Sequence, residues 1–157
     1  MERPSIDVAA RRAETGDRPA LVEMDAEARA SLVVQRGGPL RLLRELPAFD
    51  DGMLARDDAI VVVGVIDDVI VGFAHAVGER LPDGEELAVL GGLYVDPGAR
   101  DVGVGEAMMD LVLAWCGDRG TSGIDAVALP GDRATKNFFE RFGLTARAIV
   151  VHRSLRA

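Results

Sequence analysis

The chain has 157 residues, 48% hydrophobic and 28% charged, the size and balance of one globular domain spanning residues 1–157 with a core of its own. Lys and Arg number 18 against 26 Asp and Glu, and the net charge of -8 repels nucleic acid and anionic membrane, leaving neither as an expected partner. A single cysteine, Cys116, excludes an internal disulfide and any all-cysteine metal site, and two distant histidines, His75 and His152, give no metal signature.

Residues Ile6 to Arg12 read as a first strand, followed by a turn at Glu14-Thr15-Gly16-Asp17 in which Asp17 is placed to cap a helix with Pro19 in its first turn. That helix is expected over Pro19 to Gln35, since Leu21, Met24, Ala28 and Leu32 recur at helical spacing. Gly37-Gly38-Pro39 interrupts it, Leu40 to Leu46 forms a second short helix, and Asp50-Asp51-Gly52 reads as a loop. From Ala59 the pattern turns to β. Ile60 to Ile66 is almost continuously β-branched, Asp67-Asp68 makes a two-residue connection, and Val69 to Val77 returns as the second arm of a hairpin. After the turn Leu81-Pro82-Asp83-Gly84, Glu86 to Val95 completes an antiparallel meander. Val104, Met108, Leu111 and Trp115 trace a helix face that ends near Gly120, and Asp125 to Pro130 is a short strand parallel to the preceding one. A helix over Asp132 to Phe142 closes at Gly143, and Leu144 to Leu155 is expected as the last strand. The N-terminus does not resemble a secretory leader and no apolar run reaches membrane-spanning length, so cytoplasmic residence is expected.

Chemistry concentrates where the third strand ends. Val95-Asp96-Pro97 stops the strand, and Arg100-Asp101-Val102-Gly103-Val104-Gly105 enters a helix through a glycine loop. Unpaired N–H groups at a helix start, reinforced by its dipole, make an anion site, and a phosphate-bearing ligand is the first expectation. The loop lacks the Gly-Lys-Ser/Thr ending of a P-loop, and Met108 occupies the third glycine position of a dinucleotide fingerprint.

A strand ending in Val-x-Pro, followed by Arg-x-x-Gly-x-Gly at a helix start, resembles the GNAT superfamily of acyl-CoA-dependent N-acetyltransferases. Val71-Gly72-Phe73-Ala74 and the helix end Phe138-Phe139-Glu140-Arg141-Phe142-Gly143-Leu144 are similar to the family too, and the resemblance covers roughly Ala59 to Leu155. It implies a mixed α/β fold of the GNAT type, a mostly antiparallel sheet splayed at a parallel strand pair and flanked by helices. It also implies acetyl-CoA as co-substrate, with no metal. N–H groups of Arg100, Asp101, Val102, Gly103, Val104, Gly105 and Glu106 would hold its pyrophosphate, and the backbone of Leu93, Tyr94 and Val95 would pair with pantetheine. Asn137 and Phe139 on the last helix stand at further cofactor-contact positions.

The implied reaction is direct transfer of an acetyl group to a primary amine. It needs a base for the amine and a fixed donor for the developing oxyanion. The donor expected is the backbone N–H of Leu93. The family often has a tyrosine acid where this chain has Phe139, so the one tyrosine, Tyr94 on the CoA-facing strand, is the phenol left as a catalytic candidate. Glu86 is the first base candidate by location, with Glu85 and His75 behind it; an acidic pair after Asp83-Gly84 also reads as a solvated turn, and His75 as a buried structural histidine. With no clear base, a non-catalytic acyl-CoA-binding module of the same fold stays open. One long strand after Gly143, where the family usually has two, leads to the expectation of a sheet completed across a homodimer.

Overall fold

The computed structural model describes residues 5–156. Five strands lie in sequence order, β1 (Val8–Arg12), β2 (Ala59–Ile66), β3 (Val69–Arg80), β4 (Glu86–Val95) and β5 (Gly123–Asp125). All neighbours are antiparallel except β4 and β5, which run parallel. Helices α1 (Arg18–Val33), α2 (Gly38–Arg44) and α3 (Gly52–Ala55) fall between β1 and β2, α4 (Val104–Arg119) crosses from β4 to β5, and α5 (Arg133–Arg141) follows β5.

The central strand explains the layering. Successive side chains of β2 point to opposite faces. Ile60 and Val62 join Met108, Met109, Val112 and Trp115 of α4 in one apolar cluster, while Val61, Val63 and Val65 join Leu21 and Met24 of α1 in another. The sheet is therefore covered on both faces, and β2 reads as an uninterrupted apolar run because it has no solvent side. Its hairpin to β3 turns at Asp67 (φ 47) and Asp68 (φ 67), the left-handed pair that a two-residue connection demands and that aspartate tolerates.

Several boundaries differ from the sequence expectation. β5 covers Gly123–Asp125 instead of Asp125 to Pro130, because β4 and β5 stay in register only from Leu87↔Gly123 to Val89↔Asp125 and then part. A short helix, α3, starts at the last residue of the expected Asp50-Asp51-Gly52 loop and runs to Ala55, and β3 continues to Arg80. Asp17 does not cap α1 with its side chain. It accepts from both Arg11 guanidinium nitrogens, at 2.7 and 2.9 Å, and from the Glu14 N–H at 2.8 Å, fastening β1 to the start of α1. The largest correction is the last strand: Leu144 to Leu155 joins no sheet. Ile149, Val150 and Val151 have strand propensity, but a strand also needs a neighbour for its main-chain polar groups, and none lies beside them here.

Candidate functional site

Where β4 and β5 separate, a cleft of about 880 Å³ opens, within the size range of small-molecule sites. One wall is the second half of β4, Leu90 to Val95, whose edge toward β5 has lost its ladder partner. The opposite wall comes from Val127, Leu129 and Pro130 after β5, together with Thr135 and Phe138 of α5. α1 and α2 close one end with Asp25, Arg29 and Arg41; the loop into α4 closes the other with Arg100, Asp101, Gly103, Gly105 and Glu106. Every second N–H and C=O of the exposed β4 edge is available to an extended ligand, the situation of an unpaired sheet edge.

The α4 end has the features of an anion cradle. Asp96 stops β4 and accepts from the Gly98 N–H at 2.8 Å, and the Arg100 Nε donates to the Val95 carbonyl at 3.0 Å, pinning the loop to the strand. Asp101 (φ 66) and Gly103 (φ 98) both adopt left-handed backbone, a turn geometry that gathers successive N–H groups. No side chain caps α4, and the helical hydrogen bonds begin only with the Ala107 N–H to the Gly103 carbonyl at 3.0 Å. The N–H groups of Val104, Gly105 and Glu106 are therefore free of described protein acceptors. A Cβ built on Gly103 meets no atom within 4 Å, so the space in front of the loop is open.

At the α1 and α2 end the cleft is organised around His75. The β3–β4 register slips between His75, opposite Gly92, and Ala76, opposite Leu90, so Gly91 bulges out of β4. A Cβ on Gly91 would sit 2.0 Å from His75 Nε2; only glycine lets the ring lie against the bulge. Arg41 of α2 donates to the Gly91 carbonyl at 3.1 Å and to Glu45 at 2.7 Å, fixing the other side of the same peptide. Burial holds the His75 pKa below its ordinary 6.5, opposed by the charge of Asp25 and assisted by that of Arg41. Its imidazole is thus neutral at pH 7, with a lone pair to offer. Asp25 itself accepts from the Phe49 N–H at 3.0 Å.

Leu93, Tyr94, Val95, Arg100, Asp101, Gly103, Val104, Gly105, Glu106 and Phe139 all border the cleft, whereas Val102 and Asn137 do not. Phe139 is buried, and Phe138 packs against it with ring centroids 5.6 Å apart. The Tyr94 hydroxyl donates to Glu27 at 3.2 Å, and burial raises its pKa, which keeps the phenol protonated. Glu86 lies outside the cleft. It accepts two hydrogen bonds from Arg119, at 2.7 and 2.8 Å, at the start of β4, and that guanidinium lowers its pKa. A carboxylate so paired is a weak base, and it stands away from the splayed edge, whereas His75 borders the cleft. Asp25, Arg41 and the Gly91 bulge escaped the sequence reading; the Gly91-Gly92 doublet across from a histidine was the one available signal. Cys116 is buried with its pKa raised by burial, as a structural thiol. Among the described residues no group of three or more His, Cys, Asp or Glu is arranged to hold a metal.

Solved structures share this architecture. An aminoglycoside acetyltransferase from an uncultured soil metagenomic sample superposes with a TM-score of 0.71 at 17% identity, covering 96% of each chain. AAC(6')-Iy, in complex with a CoA-linked acetylneamine bisubstrate analogue, gives 0.72 at 17% identity over 96% of this chain and 99% of that one. A protein from Clostridium acetobutylicum, described as a predicted acetyltransferase with acetyl-CoA, gives 0.69 at 15% identity over 95% and 97%. No curated protein matches significantly by sequence. The model of the acetyltransferase (GNAT) family matches residues 26–144, well over half of the chain, and the chain belongs to that family.

Proposed function

We propose that this acetyltransferase transfers the acetyl group of acetyl-CoA to a primary amine by direct attack within the splayed cleft. The observation that carries the reading is the uncapped start of α4, with free N–H groups at Val104, Gly105 and Glu106 in front of open space at the cleft mouth. Such a loop suits a pyrophosphate, and the unpaired β4 edge at Leu93 to Val95 suits the amides of a pantetheine arm lying in line with it.

Acetyl-CoA supplies an acyl group activated as a thioester. The residues of this chain bind, orient and move protons. The Leu93 N–H is the proposed donor to the carbonyl oxygen that gains charge as the amine attacks. His75, neutral and beside the β4 bulge, takes the amine proton directly or through one water. The thiol of CoA has a pKa near that of free cysteine, about 8.5, and leaves as thiolate without an enzymic acid, so the phenylalanine at position 139 does not block the reaction. Tyr94, held protonated by burial and Glu27, is a proton donor within the same cleft and takes the acid role if one is used.

Calorimetric titration of acetyl-CoA into the protein, followed by a thiol-release assay over a panel of amines, tests the proposal. Binding with turnover of at least one amine is expected. Absence of acetyl-CoA binding would overturn it, and binding without turnover on any amine would leave an acyl-CoA-binding module instead. No helix among the described residues is long and apolar enough to cross a membrane; a cytoplasmic setting and a homodimeric state complete the proposal.

A further inference from the structure

The end of the cleft closed by α1 and α2 reverses the charge of the molecule. The chain as a whole is at -8, yet three arginines and one aspartate line this end, Arg29, Arg36 and Arg41 with Asp25. Arg41 is engaged internally, by Glu45 and the Gly91 carbonyl. The other two are not. Arg29 donates one N–H to the Leu46 carbonyl at 2.7 Å, which orients the guanidinium and leaves its remaining donors without a partner among the described residues. Arg36, in the turn between α1 and α2, is exposed, and its side chain forms no ion pair among the described residues. That turn reaches over the cleft, since a Cβ on Gly37 would stand 3.5 Å from Leu129 of the opposite wall.

The single negative group of this end stands next to the proposed base. Asp25 and His75 border both the cleft and a smaller hollow beside it. The Oδ2 of Asp25 accepts from the Phe49 N–H, and its Oδ1 has no donor among the described residues. Glu27, the other carboxylate of this stretch, accepts from the Tyr94 hydroxyl and does not border the cleft. Asp25 and Arg29 are four residues apart on α1, one turn and about 6 Å along its axis, and both belong to its cleft-lining face. The face thus runs from one carboxylate to two unengaged guanidinium groups.

We infer that the acceptor is a small primary amine that also carries an acid group, a carboxylate or a phosphate, with its ammonium at Asp25 and its acid at Arg29 and Arg36. The planar guanidinium fork fits the oxygens of either acid. A polycationic amine would meet one carboxylate and two like charges, a repulsion that selects against it. The inference rests on the acetyltransferase reading above, and the acid group takes no part in the transfer.

Matched amines in the thiol-release assay with acetyl-CoA test it: γ-aminobutyrate against its amide, O-phosphoethanolamine against ethanolamine, and spermidine, within the wider panel. At least one acid is expected to exceed its uncharged-tail counterpart by tenfold or more in kcat/KM, the effect of a hydrogen bond to a charged group, and the two pairs tell carboxylate from phosphate. Arg29→Met/Arg36→Met should bring that ratio toward one with an unchanged far-ultraviolet circular dichroism spectrum, and Arg36→Lys, which keeps the charge, should retain more of it than Arg36→Met. A preference for spermidine, a substrate found only among amines without an acid group, or a ratio that survives the double variant would overturn the inference and leave the acetyltransferase reading standing. If no amine of the panel turns over, that reading fails, and calorimetry of the same pairs against the protein with CoA present decides the inference alone. Binding of an acid in preference to its counterpart would uphold it; equal binding, or none, would overturn it.

Discussion

His75 is the residue proposed as the base, and its surroundings set its proton affinity. Replacing it by glutamine keeps much of its bulk and removes the base, and kcat/KM for an amine acceptor is expected to fall by roughly 100-fold, within the usual range for general-base loss. Acetyl-CoA affinity, read by calorimetry, should not change. In the proposed role the neutral form is the active one, so the rate should rise with pH through a His75 pKa that lies below the ordinary 6.5. Arg41→Met removes a positive charge that disfavours the imidazolium. The His75 pKa then rises, and the acid limb of the pH–rate profile should move to higher pH. At Gly91 even one methyl group lies 2.0 Å from His75 Nε2. Gly91→Ala is expected to displace the ring, lowering activity and costing about 1–3 kcal/mol in denaturant unfolding, the range for overpacked sites.

At the scale of elements, two junctions do most of the positioning. The first is the entry to α4, where Gly103 at φ 98 makes the turn and leaves its Cβ position empty. Asparagine tolerates left-handed backbone, so Gly103→Asn should preserve the fold while pushing atoms into the cradle. Acetyl-CoA affinity is expected to drop by roughly tenfold or more, the equivalent of losing one charge-assisted hydrogen bond, with a nearly unchanged Tm. The second junction is Asp17, which holds Arg11 of β1 and the Glu14 N–H together. Asp17→Ala strands those donors and should cost roughly 1–3 kcal/mol, measured as a lowered Tm. Both junctions were partly legible: the glycine loop announced itself as strand, turn and helix start, and Asp17 stood out as a cap. Its actual partner, Arg11, stands six residues earlier on β1, and the fold of the turn between them, not the capping pattern, brings the two together.

Across the whole molecule, the titrating groups predict a two-stage acid response. His75 has a folded pKa below 6.5, so the unfolded chain binds its proton first and stability falls as pH drops from 6.5 toward the folded value. Asp17 and Asp125 have pKa values lowered from 3.8 by hydrogen bonds from Arg11 and Arg147; the stability they confer is complete well above 3.8 and is lost as pH falls through their folded values. Thermal melts should therefore show a shallow decline through pH 6 and a steeper one below about pH 4, and His75→Gln should flatten only the first.

Local chemistry by itself determined the order of elements, the buried central strand and the glycine loop, because periodicity, β-branching and glycine placement act over a few residues. From the motif around Val95 to Gly105 came the family as well. Tertiary structure alone decided the rest. Glu86 looked like a base from its place in the chain, and only the return of α4 to the start of β4 set Arg119 against it. The setting of His75 comes from Gly91, which lies against its ring from β4, and from Arg41 of α2, which holds the Gly91 carbonyl. The final apolar segment was read as a strand from its composition, yet strandhood is a property of a pair. Composition states a preference for being paired, and three-dimensional arrangement supplies or withholds the neighbour.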